Sequence, residues 1–328
     1  MRILITGAAS PLGREVAALL IRQGHRVVGL ARRVSGVRAL ERIGVVAVRG
    51  DVRQREHVAR AILDCEMVLH LAGFFDFWEP EHGTYDSVNV AATREIVAAA
   101  LAARVRRLVF CSSAITIGES AGTRGDEYST HRGDTRSALE RSKLEAERIA
   151  FRARERGLEV VVVNPSLVVA PDDQGWLGRL LRRTVSGRRP LAAHAPLGWV
   201  WVDDAAQGVV KAAHAGEDGA RYILSGDTLS SHQMLSAIAR SVGAPAARTL
   251  PPRLTMAEAA LHSALARPLR KRPRLALDEA RFLLEGFQVD GARARRELGV
   301  VYTPSARFIP VVARHYATAI RRVAAPHA

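Results

Sequence analysis

The sequence predicts an α/β fold, a doubly wound parallel sheet with a smaller C-terminal α/β lobe. Three observations predict it. Over the first 165 residues, short β-branched runs alternate with longer helical patterns. That rhythm implies parallel strands joined by crossover helices on both faces. The strand-like runs are apolar without alternation, as strands buried on both faces are. A glycine-bearing turn also follows the first strand at residue 7 and opens a helix, which is where such sheets hold ligands.

The elements follow in order. Ile3–Thr6 is the first strand, and Leu12–Gln23 the first helix, opened by Ser10 as an N-cap and Pro11 at the first helical position. Arg26–Leu30 and Val45–Arg49 are β-branched runs, followed by the helical pattern Arg55–Cys65. Met67–Leu71 leads into the helix Ala92–Ala103, Arg107–Ser112 into the helix Ala138–Arg156, and Glu159–Val163 is the sixth strand. After Pro165 the rhythm changes: prolines punctuate the chain, and helices such as Asp203–Ala215 and Ser231–Val242 sit among loops. Residues 1–165 are expected to form a dinucleotide-binding domain and 166–328 mainly a substrate lobe, with parts around 200–225 returning to the first domain. A chain of 328 residues is about twice the usual domain length.

Composition excludes several classes. With 48% apolar and 25% charged residues the chain can bury a large core, so disorder and coiled coil are excluded. Two cysteines, Cys65 and Cys111, supply neither a disulfide framework nor a zinc ribbon; no metal site is expected, and a reducing cytoplasm fits. No apolar run is long enough to span a bilayer, so no membrane partner is expected. The net charge is +15, and only Lys143, Lys211 and Lys271 among the 48 basic residues are lysines. Arginines gather at Arg179, Arg182, Arg183, Arg188 and Arg189, and again at Arg267, Arg270, Lys271, Arg272 and Arg274. These read either as solvated faces or as a docking surface for a carrier protein or a phosphorylated substrate. Aromatics are not interleaved with them, so nucleic acid is not expected.

The turn Gly7-Ala8-Ala9-Ser10-Pro11-Leu12-Gly13 has serine where a Gly-x-x-Gly-x-x-Gly turn has its central glycine. Ser10 therefore either touches phosphate or merely caps the helix. The second strand ends Ala31-Arg32-Arg33, without the acidic residue that holds the ribose 2′-hydroxyl in an NAD site. Two guanidinium groups suit a 2′-phosphate, so NADP(H) is the expected cofactor; two solvated arginines are the alternative.

With these stretches in place, the chain resembles the extended short-chain dehydrogenase/reductase superfamily (the NAD(P)-dependent epimerase/dehydratase type), in the branch of dihydroflavonol reductases, 3β-hydroxysteroid dehydrogenases and nucleotide-sugar epimerases. The resemblance also rests on Gly50-Asp51-Val52, His70-Leu71-Ala72-Gly73, Val88-Asn89-Val90-x-x-Thr93, Phe110-Cys111-Ser112-Ser113, Ser142-Lys143-Leu144-Glu145-x-Glu147 and Asn164-Pro165-Ser166. Trp201-Val202-Asp203-Asp204-Ala205 and Ala294-Arg295-Arg296-Glu297-Leu298-Gly299 extend it toward the C-terminus. It implies a Rossmann-like fold in which Gly7, Ser10, Pro11, Leu12, Gly13, Arg32, Arg33, Asp51, Val52, Leu71, Ala72, Gly73, Lys143, Pro165 and Ser166 face the cofactor. It also implies that Ser113 orients the substrate oxygen and Lys143 holds the ribose.

The resemblance further implies a tyrosine four residues before that lysine, where residues i and i+4 share a helix face. Leu139 stands there, and leucine has no proton to give. The loop before the helix offers Tyr128, His131 and Asp134 as replacements, with Tyr128 the first choice. Phe74, Phe75, Phe77, Trp78 and Tyr85 form either a small satellite core or an apolar wall for a substrate, with Trp176, Trp199 and Trp201 closing the other side. The expected function is an atypical NADP(H)-dependent oxidoreductase of specialised metabolism, acting on an apolar carbonyl or alcohol with a non-standard proton donor. The alternatives are a non-redox cyclase, dehydratase, isomerase or epimerase on the same scaffold, or an NADP-sensing regulatory or scaffold protein. A homodimer is one assembly open to it.

Overall fold

The computed structural model describes residues 1–79, 81–120, 122–266, 268 and 271–324. Strand β1 (Arg2–Thr6) lies in the interior of the main sheet, and helix α1 (Pro11–Arg22) returns the chain to β2 (Arg26–Ala31). Helix α2 (Val34–Glu41), β3 (Val46–Arg49), α3 (Arg55–Ile62) and β4 (Met67–His70) follow. A π-helical turn over Asp86–Ala91 runs into α4 (Ala92–Ala102). Then come β5 (Arg107–Cys111), α5 (Ala138–Arg152) and β6 (Glu159–Pro165). The α5 pattern extends to Arg156 in sequence, but its last turn tightens to a 3₁₀ form and stops at left-handed Gly157, φ 84°.

The second half adds β7 (Leu167–Val169), α6 (Trp176–Val185), β8 (Pro196–Trp201), α7 (Val202–Ala215), β9 (Arg221–Leu224), β10 (Thr228–Ser230) and α8 (Ser231–Arg240). Helices α9 (Pro252–Ala266), α10 (Leu277–Glu285), α11 (Ala292–Leu298) and α12 (Ser305–Ala324) complete the described chain. The main sheet has seven parallel strands in the order β3-β2-β1-β4-β5-β6-β9. A second sheet, β10-β8-β7, belongs to the C-terminal lobe. Strand order reverses between β1 and β4, and the crevice outside their carboxyl ends is where such sheets bind ligands.

The pleat sends alternate residues to opposite faces. Ile3, Ile5, Val27 and Val161 pack under α1 and α7 with Val16, Leu20 and Val209. Leu4, Val28, Leu108 and Val160 pack under α3, α4 and α5 with Val58, Ile96 and Ala146. Each such side chain contributes about 1.5–3 kcal/mol of burial. Helix α7, β9 and α11 belong to this layered body: Val210, Tyr222 and Leu298 share its first core. A third core fills the C-terminal lobe around Trp199, Leu235 and Phe308, yet it also takes Phe77, Tyr85, Ala114, Ile117 and Leu139 from the first 165 residues. The chain position 165 is therefore a change of rhythm without being a seam in the packing. Among the described residues no helix is long and apolar enough to cross a membrane.

Candidate functional site

The first turn is shaped by close backbone packing. Gly7 has φ 69°, and a Cβ there would lie 2.7 Å from the Ala72 nitrogen; one at Gly13 would lie 2.3 Å from the Gly7 carbonyl oxygen. Only glycine fits either place, and the N-terminus of α1 is left open with its positive dipole end outward. Ser10 Oγ accepts from the Gly13 N–H at 3.0 Å, and Pro11 opens the helix. The hydroxyl is a cap.

One hydrogen-bonded chain fixes the carboxyl ends of β1 and β4. Thr93 Oγ1 donates to the Asn89 carbonyl (2.6 Å), so it accepts from His70 Nε2–H (3.1 Å) and leaves Nδ1 to accept from the Thr6 hydroxyl (2.6 Å). Thr6 Oγ1 in turn accepts from the Ala72 N–H (3.2 Å). Burial, with the Lys143 charge added, lowers the His70 pKa to about 3, so the ring is neutral. Asn89 then holds both Phe74 N–H (2.7 Å) and Ser142 Oγ (2.9 Å), tying this end to α5.

A cleft of about 800 Å³ runs from this turn along the sheet edge. It is lined by Ser10, Pro11, Leu12, Arg32, Arg33, Leu71 and Gly73 at one end and by Cys111, Ser112, Ser113, Lys143, Pro165 and Ser166 at the other. Gly7, Gly13 and Ala72 lie behind its surface, in the turn and against β4. Arg32 and Arg33 are exposed and make no ion pair or side-chain hydrogen bond among the described residues. Asp51 and Val52 are absent from the lining. The Asp51 carboxylate is taken by Arg53 at 2.6 Å, whose hydrogen bond holds its pKa below the usual range.

At the far end, α5 is capped by Ser137, whose hydroxyl accepts from Glu140 N–H at 3.1 Å. Two turns in, Lys143 reaches the cleft beneath Gly73; a Cβ on that glycine would lie 2.4 Å from Nζ. Lys143 makes no side-chain hydrogen bond to the described residues, and burial lowers its pKa. The Cys111 thiol is pushed up to about 11 by burial and stays neutral. Ser113 is buried, and its backbone is held from below. Its carbonyl accepts from Thr116 Oγ1 (2.8 Å) and Asn164 Nδ2 (3.3 Å). Asn164 also donates to Glu147 (3.0 Å), which pairs with Arg221 at 2.7 Å.

The comparisons with known proteins decide what this cleft belongs to. Residues 3–224 match the family described as the NAD dependent epimerase/dehydratase family. The chain belongs to that family. It is 31% identical over 320 residues to sterol demethylase protein B of Methylococcus capsulatus, covering 95% of this chain and 98% of the relative. It is 26% identical to 4-hydroxy-2-methyl-3-oxo-4-farnesyl-3,4-dihydroquinoline-1-oxide ketoreductase of Stigmatella aurantiaca, over 91% of each chain. The solved structure of gox2253 superposes with a TM-score of 0.82 at 27% identity, covering 97% of this chain and 98% of that one. This member of the NAD dependent epimerase/dehydratase family is therefore an enzyme on an oxidoreductase, epimerase and dehydratase scaffold, and a nicotinamide dinucleotide is its cofactor class. The cleft fits that group. The glycine turn leaves backbone room for a diphosphate, and two guanidinium groups at one end and an ammonium at the other stand without partners among the described residues.

Leu139, one turn before Lys143, is 1% exposed and packed into the third core with Phe77, Tyr85 and Trp176. The loop replacements expected from the sequence do not line the cleft. Tyr128 is 74% exposed, with the Arg293 guanidinium 5.4 Å over its ring, on the α11 side of the molecule. His131 sits 3.4 Å from Glu140 at the start of α5, and the Asp134 side chain is exposed. This loop is bound elsewhere: the Arg132 N–H donates to the Gly118 carbonyl (2.9 Å), and Glu127 accepts from the Ile223 N–H (2.8 Å).

The aromatic segment is both core and wall. Phe75 and Trp176 line the cleft, their rings 6.5 Å apart, while Phe77 meets Trp176 edge-on at 4.9 Å in the core behind. Trp199 and Trp201 do not close the other side: Trp199 is fully buried, and Trp201 stacks on Phe308 at 5.4 Å. The sequence reading missed Glu279, whose buried carboxylate accepts from the Trp176 indole N–H at 2.8 Å. Its distance of 103 residues left no spacing signal.

Most arginines of the two clusters are internal ties. Arg179 and Arg272 both pair with the buried Asp76 at 2.5 Å. Arg183 donates to the Arg274 carbonyl (3.2 Å), Arg182 to the Asp173 carbonyl (2.8 Å) and Arg189 to the Ala246 carbonyl (3.1 Å). Arg267 and Arg270 lie outside the described residues.

Proposed function

We propose that the protein is an NADP(H)-dependent oxidoreductase acting on an apolar carbonyl or alcohol, in which Lys143 supplies the proton that a phenol would otherwise give. The observation that carries this reading is Lys143 itself. It is a buried ammonium with no partner among the described residues, opening into the cleft beside Ser113, while the helix position one turn earlier is an apolar core residue. The expected NADP(H) preference rests on Arg32 and Arg33, whose forks match a 2′-phosphate. The apolar substrate class is supported by the Phe75 and Trp176 wall and by relatives whose names carry a sterol and a farnesylated quinoline.

When bound, the nicotinamide supplies or accepts the hydride. The chain does the rest. The Gly7–Gly13 turn and the N-terminus of α1 bind the diphosphate, and Ser113 Oγ hydrogen-bonds the substrate oxygen. The Lys143 ammonium gives its proton toward that oxygen, through the Ser113 hydroxyl, and takes another from water in the cleft. Burial makes this ammonium a stronger acid than a solvated lysine, which suits it to the transfer.

The test is turnover of apolar ketones with NADPH by wild type, Lys143→Met and Lys143→Arg at saturating cofactor. Loss of general acid catalysis lowers kcat by about 10²–10⁴-fold in Lys143→Met. In wild type the rate falls as pH rises through the lowered Lys143 pKa. Lys143→Arg moves that alkaline limb upward, because arginine keeps its proton. A limb unmoved in Lys143→Arg sinks the proton assignment, and product formed without net NADPH oxidation favours the non-redox reading.

A further inference from the structure

Helix α9 presents an outward face that is apolar apart from Arg253 in its first turn. Leu254, Ala257, Ala260, Leu261, Ala264 and Leu265 are all exposed, and their spacing places them on one side of the helix. The three leucines are 56%, 59% and 59% exposed. The opposite face is the buried one, where Ala259 packs with Leu191, Leu275 and Ala280. A solvent-facing helix side ordinarily carries charged and polar residues, so an apolar side rimmed by charge marks a contact surface.

The charge around it selects the partner. From Arg240 to Leu277 the sequence holds eight arginines and lysines and a single acid, Glu258, and of the eight Arg272 is taken by the buried Asp76. That acid is already paired with Arg248 at 2.5 Å. Arg253 at the start of the helix, and Lys271 and Arg274 beyond its end, are exposed without side-chain partners among the described residues. A second copy of this chain would bring the same uncompensated positive charge against itself, on a protein of net charge +15. An anionic bilayer supplies both needs, since leucines enter the acyl boundary while arginines reach lipid phosphates. A helix of 15 residues, about 22 Å long, lies in the plane of such an interface instead of crossing it.

We propose that α9 docks the protein on the surface of an anionic phospholipid bilayer. The inference stands on α9 and its charged rim, and holds whatever reaction the cleft performs. It departs from the sequence expectation of no membrane partner, which rested on the absence of a spanning segment. Interfacial docking needs no span.

The experiment is co-sedimentation of the full chain with phosphatidylcholine vesicles, with and without phosphatidylglycerol. Wild type binds the anionic vesicles, binds the zwitterionic ones far less, and is released by salt. The double variant Leu261→Gln, Leu265→Gln keeps its melting temperature, because both side chains are exposed, and loses roughly tenfold or more in vesicle affinity. Arg253→Glu weakens binding to the anionic vesicles alone. Absence of wild-type sedimentation overturns the proposal. So does full binding by the leucine variant, which would reduce the effect to net charge. A wild-type dimer in solution that the leucine variant dissociates overturns it too, since a second copy would then cover α9.

Discussion

Arg32 and Arg33 stand at the cleft mouth without an ion pair among the described residues, while the carboxylate next along the sheet edge, Asp51, is already held by Arg53. NADPH is therefore expected to bind more tightly than NADH, and Arg32→Asp to cost NADPH about 2–3 kcal/mol, the scale of a charged hydrogen bond left unmade. Isothermal calorimetry with both cofactors checks this, and equal affinities would refute it. Ser10 acts through its cap, so Ser10→Gly should leave cofactor affinity intact and lower stability by only a few tenths of a kcal/mol. A large affinity loss at unchanged melting temperature would place the hydroxyl on phosphate instead. Leu139 is a packed core residue, so Leu139→Tyr should overfill its site, cost about 1–3 kcal/mol of stability and not raise ketone reduction. A variant that reduces ketones far better than wild type would show a degenerate reductase and remove the need for Lys143 as acid. At this scale the lining residues near the glycine turn, Ser113 and Lys143 were readable, because each sits a few residues from a strand end or on a helix period. That Tyr128 lies off the cleft shows in no local pattern, because the side of the sheet to which the Gly125–Asp134 loop is tied is decided by Glu127 and Arg132 through contacts with Ile223 and Gly118.

Strands β1 to β6 were legible to within a residue or two at most ends: five are buried and read as unbroken apolar runs, while β3, part-exposed at the sheet edge, was legible from its valines alone. Helix α2, with a glycine at its third position, and the short strands β7, β9 and β10 carried no comparable period. The polar chain joining β1 and β4 was visible only as a motif around His70; its physics lies in full burial of a neutral ring. Folding refuses His70 its proton until about pH 3, whereas the unfolded chain takes it up near 6.5. The unfolded state thus binds more protons between these values, and stability falls as pH is lowered through that window. The slope from this one group is at most about 1.4 kcal/mol per pH unit. Urea unfolding of wild type and His70→Gln at pH 7 and pH 5 isolates it: the variant is less stable at pH 7 and loses less on acidification. Parallel losses in both proteins would remove His70 as the cause.

The two lobes are joined by groups far apart in sequence, and this is the level the sequence did not reach. The third core draws Phe77 and Leu139 from the sheet body and Trp199, Leu235 and Phe308 from the C-terminal lobe. Its edge is locked by Asp76, which carries Arg179 from α6 and Arg272 from the segment before α10. Three separate stretches of chain thus meet on one buried carboxylate, with no repeat or spacing to betray them. Helix α6 is the same helix that brings Trp176 to the cleft wall, so the clamp fixes the wall as well as the seam. Asp76→Asn keeps the shape and removes the charge, leaving two partly exposed guanidinium groups beside a neutral amide. Hydrogen bonds to charged groups are worth about 1.5–3 kcal/mol each, and solvent at the arginines discounts that, so the expected loss is roughly 1–3 kcal/mol in all. Because one core spans both lobes, urea unfolding should remain a single transition shifted to lower denaturant. The KM for an apolar substrate should rise as Trp176 loses its support, while NADPH affinity, which the proposed reading assigns to the glycine turn and Arg32 at the other end of the cleft, should not change. Two separate unfolding transitions in the variant would show that the lobes are held together by Asp76 rather than by the shared core, and an unchanged KM would detach the clamp from the wall.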